Sequence, residues 1–138
     1  MEMVFEIEGG DFTKAGLAST EVKKVLKQLN IEPAKIKKIA VAMYEAEVNI
    51  VAHARRGTMT VNIDSHLIQL KFEDEGPGIQ DIDMAMTEGF STASDTVRQM
   101  GFGAGMGLPN IKKNVDELNI SSEVDKGTMV EFKTYLDN

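Results

Sequence analysis

The sequence contains no cysteine, which excludes disulfides, cysteine-ligated zinc and thiol catalysis. No stretch approaches the ~18–20 uninterrupted apolar residues of a membrane span. The first residues, Met1–Gly10, carry Glu2, Glu6 and Glu8 and no basic residue, the wrong charge for a secretory signal. Basic residues are in deficit throughout, 15 against 22 acidic, for a net charge of −7. Nucleic-acid binding by phosphate neutralisation wants the opposite balance. These absences fit a protein of a reducing cytoplasm, with neither a nucleic acid nor a membrane as partner. They leave a nucleotide ligand open, provided backbone N–H groups and a metal hold its phosphates in place of a basic field.

What remains is enough to fold. A chain of 138 residues has single-domain length. Its 42% hydrophobic content supplies a core that hides roughly two-thirds of the unfolded surface.

Met3–Glu8 alternates apolar and polar residues, the period of a half-buried strand. Asp11 is placed to cap a helix over Phe12–Leu29 with Leu17, Val22, Val25, Leu26 and Leu29 as its apolar stripe. Pro33 opens a second helix, for which Arg55-Arg56 followed by Gly57 reads as the end. Thr58–Asp64 and Leu67–Glu73 read as a hairpin, and Ile82–Met86 as a short helical piece. From Thr87 to Gly107 no period survives, a length that suits a functional lid. A third helix over Pro109–Leu118, a strand over Ile120–Glu123, a turn at Asp125–Gly127 and a strand over Thr128–Tyr135 complete the chain. Early helices with hairpin-paired strands predict a two-layer α/β (α+β) sandwich with a mixed sheet, not an alternating βαβ fold.

Three clusters carry candidate chemistry. Glu45, Asn49 and His53 recur every fourth residue, so they stack on one side of the second helix. A carboxylate there can accept a proton, and an amide oxygen is a hard, neutral ligand for Mg²⁺. A solvated face would also show such a row, and Glu47, two residues away, reads as solvated. Asp74-Glu-Gly76-Pro-Gly78-Ile79 closes an apolar strand. Asp74 there can accept from an exocyclic amine, while Gly76 and Gly78 let the backbone bend and approach a flat base. A plain Pro-Gly turn is the alternative. Gly101, Gly103, Gly105 and Gly107 alternate just before a helix, exposing backbone N–H groups beside its positive dipole end. Leu108-Pro109 after Gly107 excludes a Walker loop, and Leu108 at the third glycine position excludes a dinucleotide fingerprint.

In this order the clusters, with Gly127-Thr128 on the last hairpin, resemble the four boxes of the GHKL (Bergerat-fold) ATPases over about Tyr44–Thr128. The resemblance implies one ATPase domain over 1–138, with helices on one face of the sheet and an ATP lid at about 87–107. It makes Glu45 the general base, Asn49 the Mg²⁺ ligand, Asp74 the adenine reader and Thr128 a second adenine contact. Gly76, Gly78, Ile79, Gly101, Gly103, Gly105, Met106 and Gly107 would complete the ATP site. Arg98 is either a γ-phosphate contact or a solvated lid residue.

Length places the chain among free-standing members, similar to the anti-sigma factors and switch-protein serine kinases of bacterial partner-switching systems. Gly76–Met86, Glu88–Thr92 and Gly105–Pro109 look most like the stressosome switch kinases (RsbT-like). That branch implies phosphorylation of Ser/Thr on a STAS-domain antagonist, a PP2C-type phosphatase or sigma factor as a further partner, and a monomer or weak dimer. The alternatives are an anti-sigma factor that sequesters its target, and a nucleotide-gated binding module without turnover.

Overall fold

In the strands, residues of alternating burial divide one sheet into two faces. Met59, Val61 and Ile63 are buried beside Ile68, Leu70, Phe72, Val130 and Phe132, whereas Thr60, Asn62, Gln69, Lys71, Glu73, Glu131 and Lys133 occupy the opposite, more exposed face. The computed structural model describes residues 1–86 and 107–137. Its strands are β1 (Glu2–Glu8), β2 (Arg56–Ile63), β3 (Leu67–Glu75), β4 (Glu117–Glu123) and β5 (Gly127–Tyr135), in the order β1-β2-β3-β5-β4. Register puts Met59 opposite Phe72 and Phe72 opposite Val130, with Val61, Leu70 and Phe132 forming the next row. The Phe72 and Phe132 rings stack at 5.8 Å between centroids.

The buried face carries the helices α1 (Leu17–Gln28), α2 (Pro33–His53) and α4 (Gly107–Asn114), while a short helix, α3 (Ile82–Ala85), follows β3. The two-layer sandwich is therefore as expected, but the mixed pairing is not. All four ladders among the described residues are antiparallel. Two helices in succession separate β1 from β2, so the chain reverses three times and returns antiparallel, where a single crossover helix, with two reversals, would have made a parallel pair. Ile36, Ile39, Met43, Ala46 and Ile50 form the buried stripe of α2, the central element of the helical layer. Among the described residues no helix is long and apolar enough to cross a membrane.

Several boundaries differ from the sequence pattern for local reasons. The expected helix over Phe12–Leu29 is divided into a 3₁₀ turn, Phe12–Lys14, and α1, because Gly16 stands at φ 92° between them. Asp11 makes no capping bond; its Oδ1 accepts the Thr13 hydroxyl. Leu17, at the first position of α1, and Leu29, at its C-cap, are 58% and 44% exposed, outside the core. Helix α2 stops at His53, and Gly57 belongs to β2. A Cβ on Gly57 would lie 2.7 Å from Ile50 Cδ1, so this glycine lets the end of α2 rest on the sheet. Leu118 is in β4 opposite Phe132, which ends α4 earlier than its apolar spacing suggests.

Candidate functional site

The α2 row is built as its spacing predicts, and α4 closes on it. Glu45 and Asn49 are half-buried on consecutive turns. The Asn110 amide donates to Glu45 Oε1 at 3.3 Å, and Asn114 donates to the Asn110 carbonyl at 2.7 Å. A Cβ on Gly107 would fall 2.9 Å from Asn49 Oδ1 and 3.1 Å from its Nδ2. Any side chain there would displace Asn49, so the glycine sets how closely the first turn of α4 approaches the amide. His53 ends the row, and burial holds its imidazole below the ordinary value, favouring the neutral form.

The second half of the site is the adjoining end of the sheet. Side chains of β3 alternate, so Asp74 shares the helix-facing side with Ile68, Leu70 and Phe72. Thr128 and Ser122 oppose each other on that same side. The Thr128 N–H donates to Asp74 Oδ1 at 3.0 Å, the Ser122 and Thr128 hydroxyls lie 2.9 Å apart, and the Ile79 N–H donates to Ser122 Oγ at 2.7 Å. Burial raises the Asp74 carboxyl above its ordinary value, and the Thr128 N–H partly opposes that. A desolvated carboxylate with acceptor capacity to spare suits a donor such as an exocyclic amine.

The two halves meet under the end of α2. Gly57, paired with Asp74, abuts Ile50, and a Cβ on Gly76 would sit 3.1 Å from Ala54 and 3.4 Å from Asp74 Oδ1. The loop after β3 is laced to the β4–β5 turn: the Gly76 N–H donates to the Lys126 carbonyl at 3.1 Å, and the Asp125 N–H donates to the Pro77 carbonyl at 2.8 Å. Gly78, at φ 75°, abuts the Glu123 carbonyl, where a Cβ would come within 2.4 Å. A Cβ on Gly127 would fall 1.9 Å from the Asp74 carbonyl oxygen. These glycines thus bring strand ends together around Asp74.

Glu45, Asn49 and Gly107 thus meet where α4 packs on α2, and Asp74, Gly76, Gly78, Ile79 and Thr128 gather at the adjoining end of the sheet. Arg98, Gly101, Gly103, Gly105 and Met106 lie outside the described residues. Sequence reasoning missed Asn110 and Ser122. Asn110 stands three residues beyond Gly107, the helical offset that turns it back onto α2, whereas Ser122 is legible only once β4 is registered against Thr128. It also misjudged Glu47, which is 2% exposed. Its carboxylate accepts from the Gly16 N–H at 2.9 Å, the Ser19 N–H at 2.9 Å and the Ser19 hydroxyl at 2.6 Å, capping α1 from α2.

Among the described residues no group of three or more His, Cys, Asp or Glu could hold a metal. Asn49 offers one neutral oxygen, so a divalent ion here would need phosphate oxygens as co-ligands, a usual arrangement for Mg²⁺. The donor set fits that ion only together with a nucleotide.

Comparison with known proteins agrees with this geometry. A family model described as the histidine kinase-like ATPase domain matches residues 11–134. The serine/threonine-protein kinase RsbT of Bacillus subtilis is 33% identical over 118 residues, 83% of either chain. The anti-sigma F factor of Thermoanaerobacter sp. is 33% identical over 124 residues, 86% of this chain and 83% of the relative. Among solved structures, the SiaB-SiaC complex from Pseudomonas aeruginosa matches with a TM-score of 0.61 at 12% identity, covering 96% of this chain and 89% of that one. The histidine kinase domain of the Erythrobacter litoralis EL346 blue-light activated histidine kinase gives 0.57 at 15% identity, with 88% and 61% covered. Likeness at those identities concerns the fold alone.

Proposed function

The chain belongs to the histidine kinase-like ATPase family, and from that premise we propose that it is an ATP-dependent protein serine/threonine kinase of a bacterial partner-switching system. Its substrate is a STAS-domain antagonist protein, and a PP2C-type phosphatase would reverse the modification. The observation that carries this reading is the meeting of α2 and α4. Asn49 sits against Gly107 at the start of α4, and Glu45, one turn earlier, is held by Asn110. A metal-ligand amide, a helix N-terminus and a carboxylate base are what phosphoryl transfer to a hydroxyl needs in one place.

In this reading Asp74 accepts from the adenine amine, and Thr128, tied to it through its N–H, orients the other edge of the base. Mg²⁺, held by Asn49 together with phosphate oxygens, would neutralise the charge on those phosphates. Gly101–Gly107, with Met106, would offer N–H groups to the phosphate tail, with Arg98 at the γ-phosphate and 87–107 acting as a lid over one domain. Glu45 accepts the proton of the protein hydroxyl as its oxygen bonds to the γ-phosphorus. The bond from that phosphorus to the bridging oxygen breaks, and ADP leaves with the electron pair. Positioning and charge neutralisation supply most of the acceleration in such transfers.

A second reading, an anti-sigma factor that sequesters its target, is favoured by the equal identity to anti-sigma F factors. A nucleotide-gated module without turnover is disfavoured, since it has no use for Glu45 beside Asn49. The deciding experiment incubates the chain with γ-labelled ATP, Mg²⁺ and a STAS-domain protein from the same genome. Label should move to a Ser or Thr of that protein, and Glu45→Ala should bind ATP without transfer. Undiminished transfer by Glu45→Ala contradicts the base assignment, and capture of a sigma factor without any transfer favours the second reading.

A further inference from the structure

A groove of about 970 Å³ runs between α1 and the first half of α2 and ends at Glu45. Ile31, Ile36, Ala40 and Val41 give it an apolar floor. Lys37, Val41 and Glu45 follow at every fourth residue of α2, so the floor spans two turns, about 12 Å at 1.5 Å rise per residue. The same row continues to Asn49, so the groove leads into the site where phosphate is expected. Its rim is basic. Lys23 and Lys27 project from consecutive turns of α1 and Lys37 from α2, all three exposed. Among the described residues none of these three enters an ion pair.

The groove is also held open by its neighbours. Glu47 binds the N-terminus of α1 to α2. The Tyr44 ring, itself 42% exposed, packs against Gly16, where a Cβ would come within 2.9 Å. A surface fixed before binding loses less freedom when a partner docks.

Three unneutralised ammonium groups over an apolar floor, on a chain of net charge −7, reverse the local sign and define what fits. A small free anion gains nothing from the floor, and a nucleic acid would meet repulsion from the rest of the surface. We propose that the α1–α2 groove seats an acidic, amphipathic segment of the protein substrate. Carboxylates of the segment lie over Lys23, Lys27 and Lys37, its apolar side chains fill the floor, and its acceptor hydroxyl reaches Glu45, about 12 Å along α2 from Lys37. This rests on the kinase reading and adds to it the charge and shape of the partner.

The test uses the full chain, ¹⁵N-labelled, and a synthetic amphipathic peptide with Glu on consecutive turns, Leu between them and a Ser two turns away. Amide shifts should be confined to the groove. Three exposed ion pairs together give about a tenfold effect, so the peptide with Gln in place of Glu should bind about tenfold more weakly. The triple variant Lys23→Gln, Lys27→Gln, Lys37→Gln should lose the same tenfold for the acidic peptide and keep its ATP affinity. The corresponding Lys→Glu triple variant should instead favour a peptide with Lys in place of Glu. Shifts elsewhere, or unchanged peptide affinity in both triple variants, would overturn the groove while leaving ATP binding as evidence for the kinase reading. Groove binding by a chain that takes no ATP would support the acidic-segment site and overturn the kinase reading.

Discussion

Replacing Glu47 with alanine removes the cap of α1 without touching the proposed chemistry. The carboxylate is 2% exposed and accepts three hydrogen bonds, from Gly16 N–H, Ser19 N–H and Ser19 Oγ–H. Helix α1 has no side-chain cap of its own and no acidic residue in its first turn, so among the described residues Glu47 is the carboxylate that meets its positive end. Losing a buried carboxylate at a helix N-terminus costs up to about 2 kcal/mol through the dipole, and each orphaned buried donor adds about 1–3 kcal/mol. Water entering the vacated space recovers part of this. A net loss of about 3 kcal/mol is expected, near the upper end for single substitutions. At this chain length that lowers Tm by roughly 10 °C. Glu47→Gln, which places an amide NH₂ against a donor, should lose about 2 kcal/mol. Urea denaturation followed by circular dichroism reads both, with Glu45→Ala as control. Glu45 is half-buried and, among the described residues, held by one bond of 3.3 Å, so its removal should cost less than about 1 kcal/mol. Equal stability of Glu47→Ala and Glu45→Ala would refute the capping role.

Other consequences are separable from that one. Asn110→Ala should leave ATP affinity unchanged and lower the transfer rate severalfold, because Glu45 loses its anchor; a changed ATP affinity in direct titration would place Asn110 elsewhere in the site. Gly127→Ala drives a Cβ into the Asp74 carbonyl, so it should lose roughly 2–3 kcal/mol of stability and weaken ATP binding in the same protein, checked by melting with and without ATP. The Asp74 carboxyl titrates above its ordinary value because it is buried. Nucleotide binding needs its ionised form, so affinity should start to fall, as pH is lowered, at a higher pH than an ordinary aspartate would impose. For the unliganded chain the sign is opposite: a raised folded value means that protonating Asp74 relieves a burial cost, so its contribution to stability improves as pH falls through that value. Asp74→Asn should abolish both trends, and a pH profile identical to wild type would contradict the assignment.

Much of this was legible in the sequence because the informative signals are periodic or positional. Alternation in Met3–Glu8 and the four-residue spacing from Glu45 to His53 survive folding intact, and the strand end at Asp74 needs only a period of two to reach the helix-facing side. Glu47 was not legible, since its partners Gly16 and Ser19 are about thirty residues away. Its neighbour Glu45, of the same residue type, meets a different environment purely through helix rotation. The break at Gly16 was missed for the same reason: a left-handed glycine is stabilised by the carboxylate it meets in space. Antiparallel pairing of β1 with β2 depended on counting chain reversals through α1 and α2, which local pattern does not register.

The central claim is that Asp74, Thr128, Asn49 and Glu45 form one adenine-nucleotide site around α2, and calorimetric titration of Mg²⁺·ATP tests it most directly. The predicted result is one ATP per chain, clear preference over GTP, and at least a tenfold loss in Asp74→Asn with Glu45→Ala close to wild type. Equal affinity for ATP and GTP, or an Asp74→Asn variant that binds ATP as tightly as wild type, would contradict it.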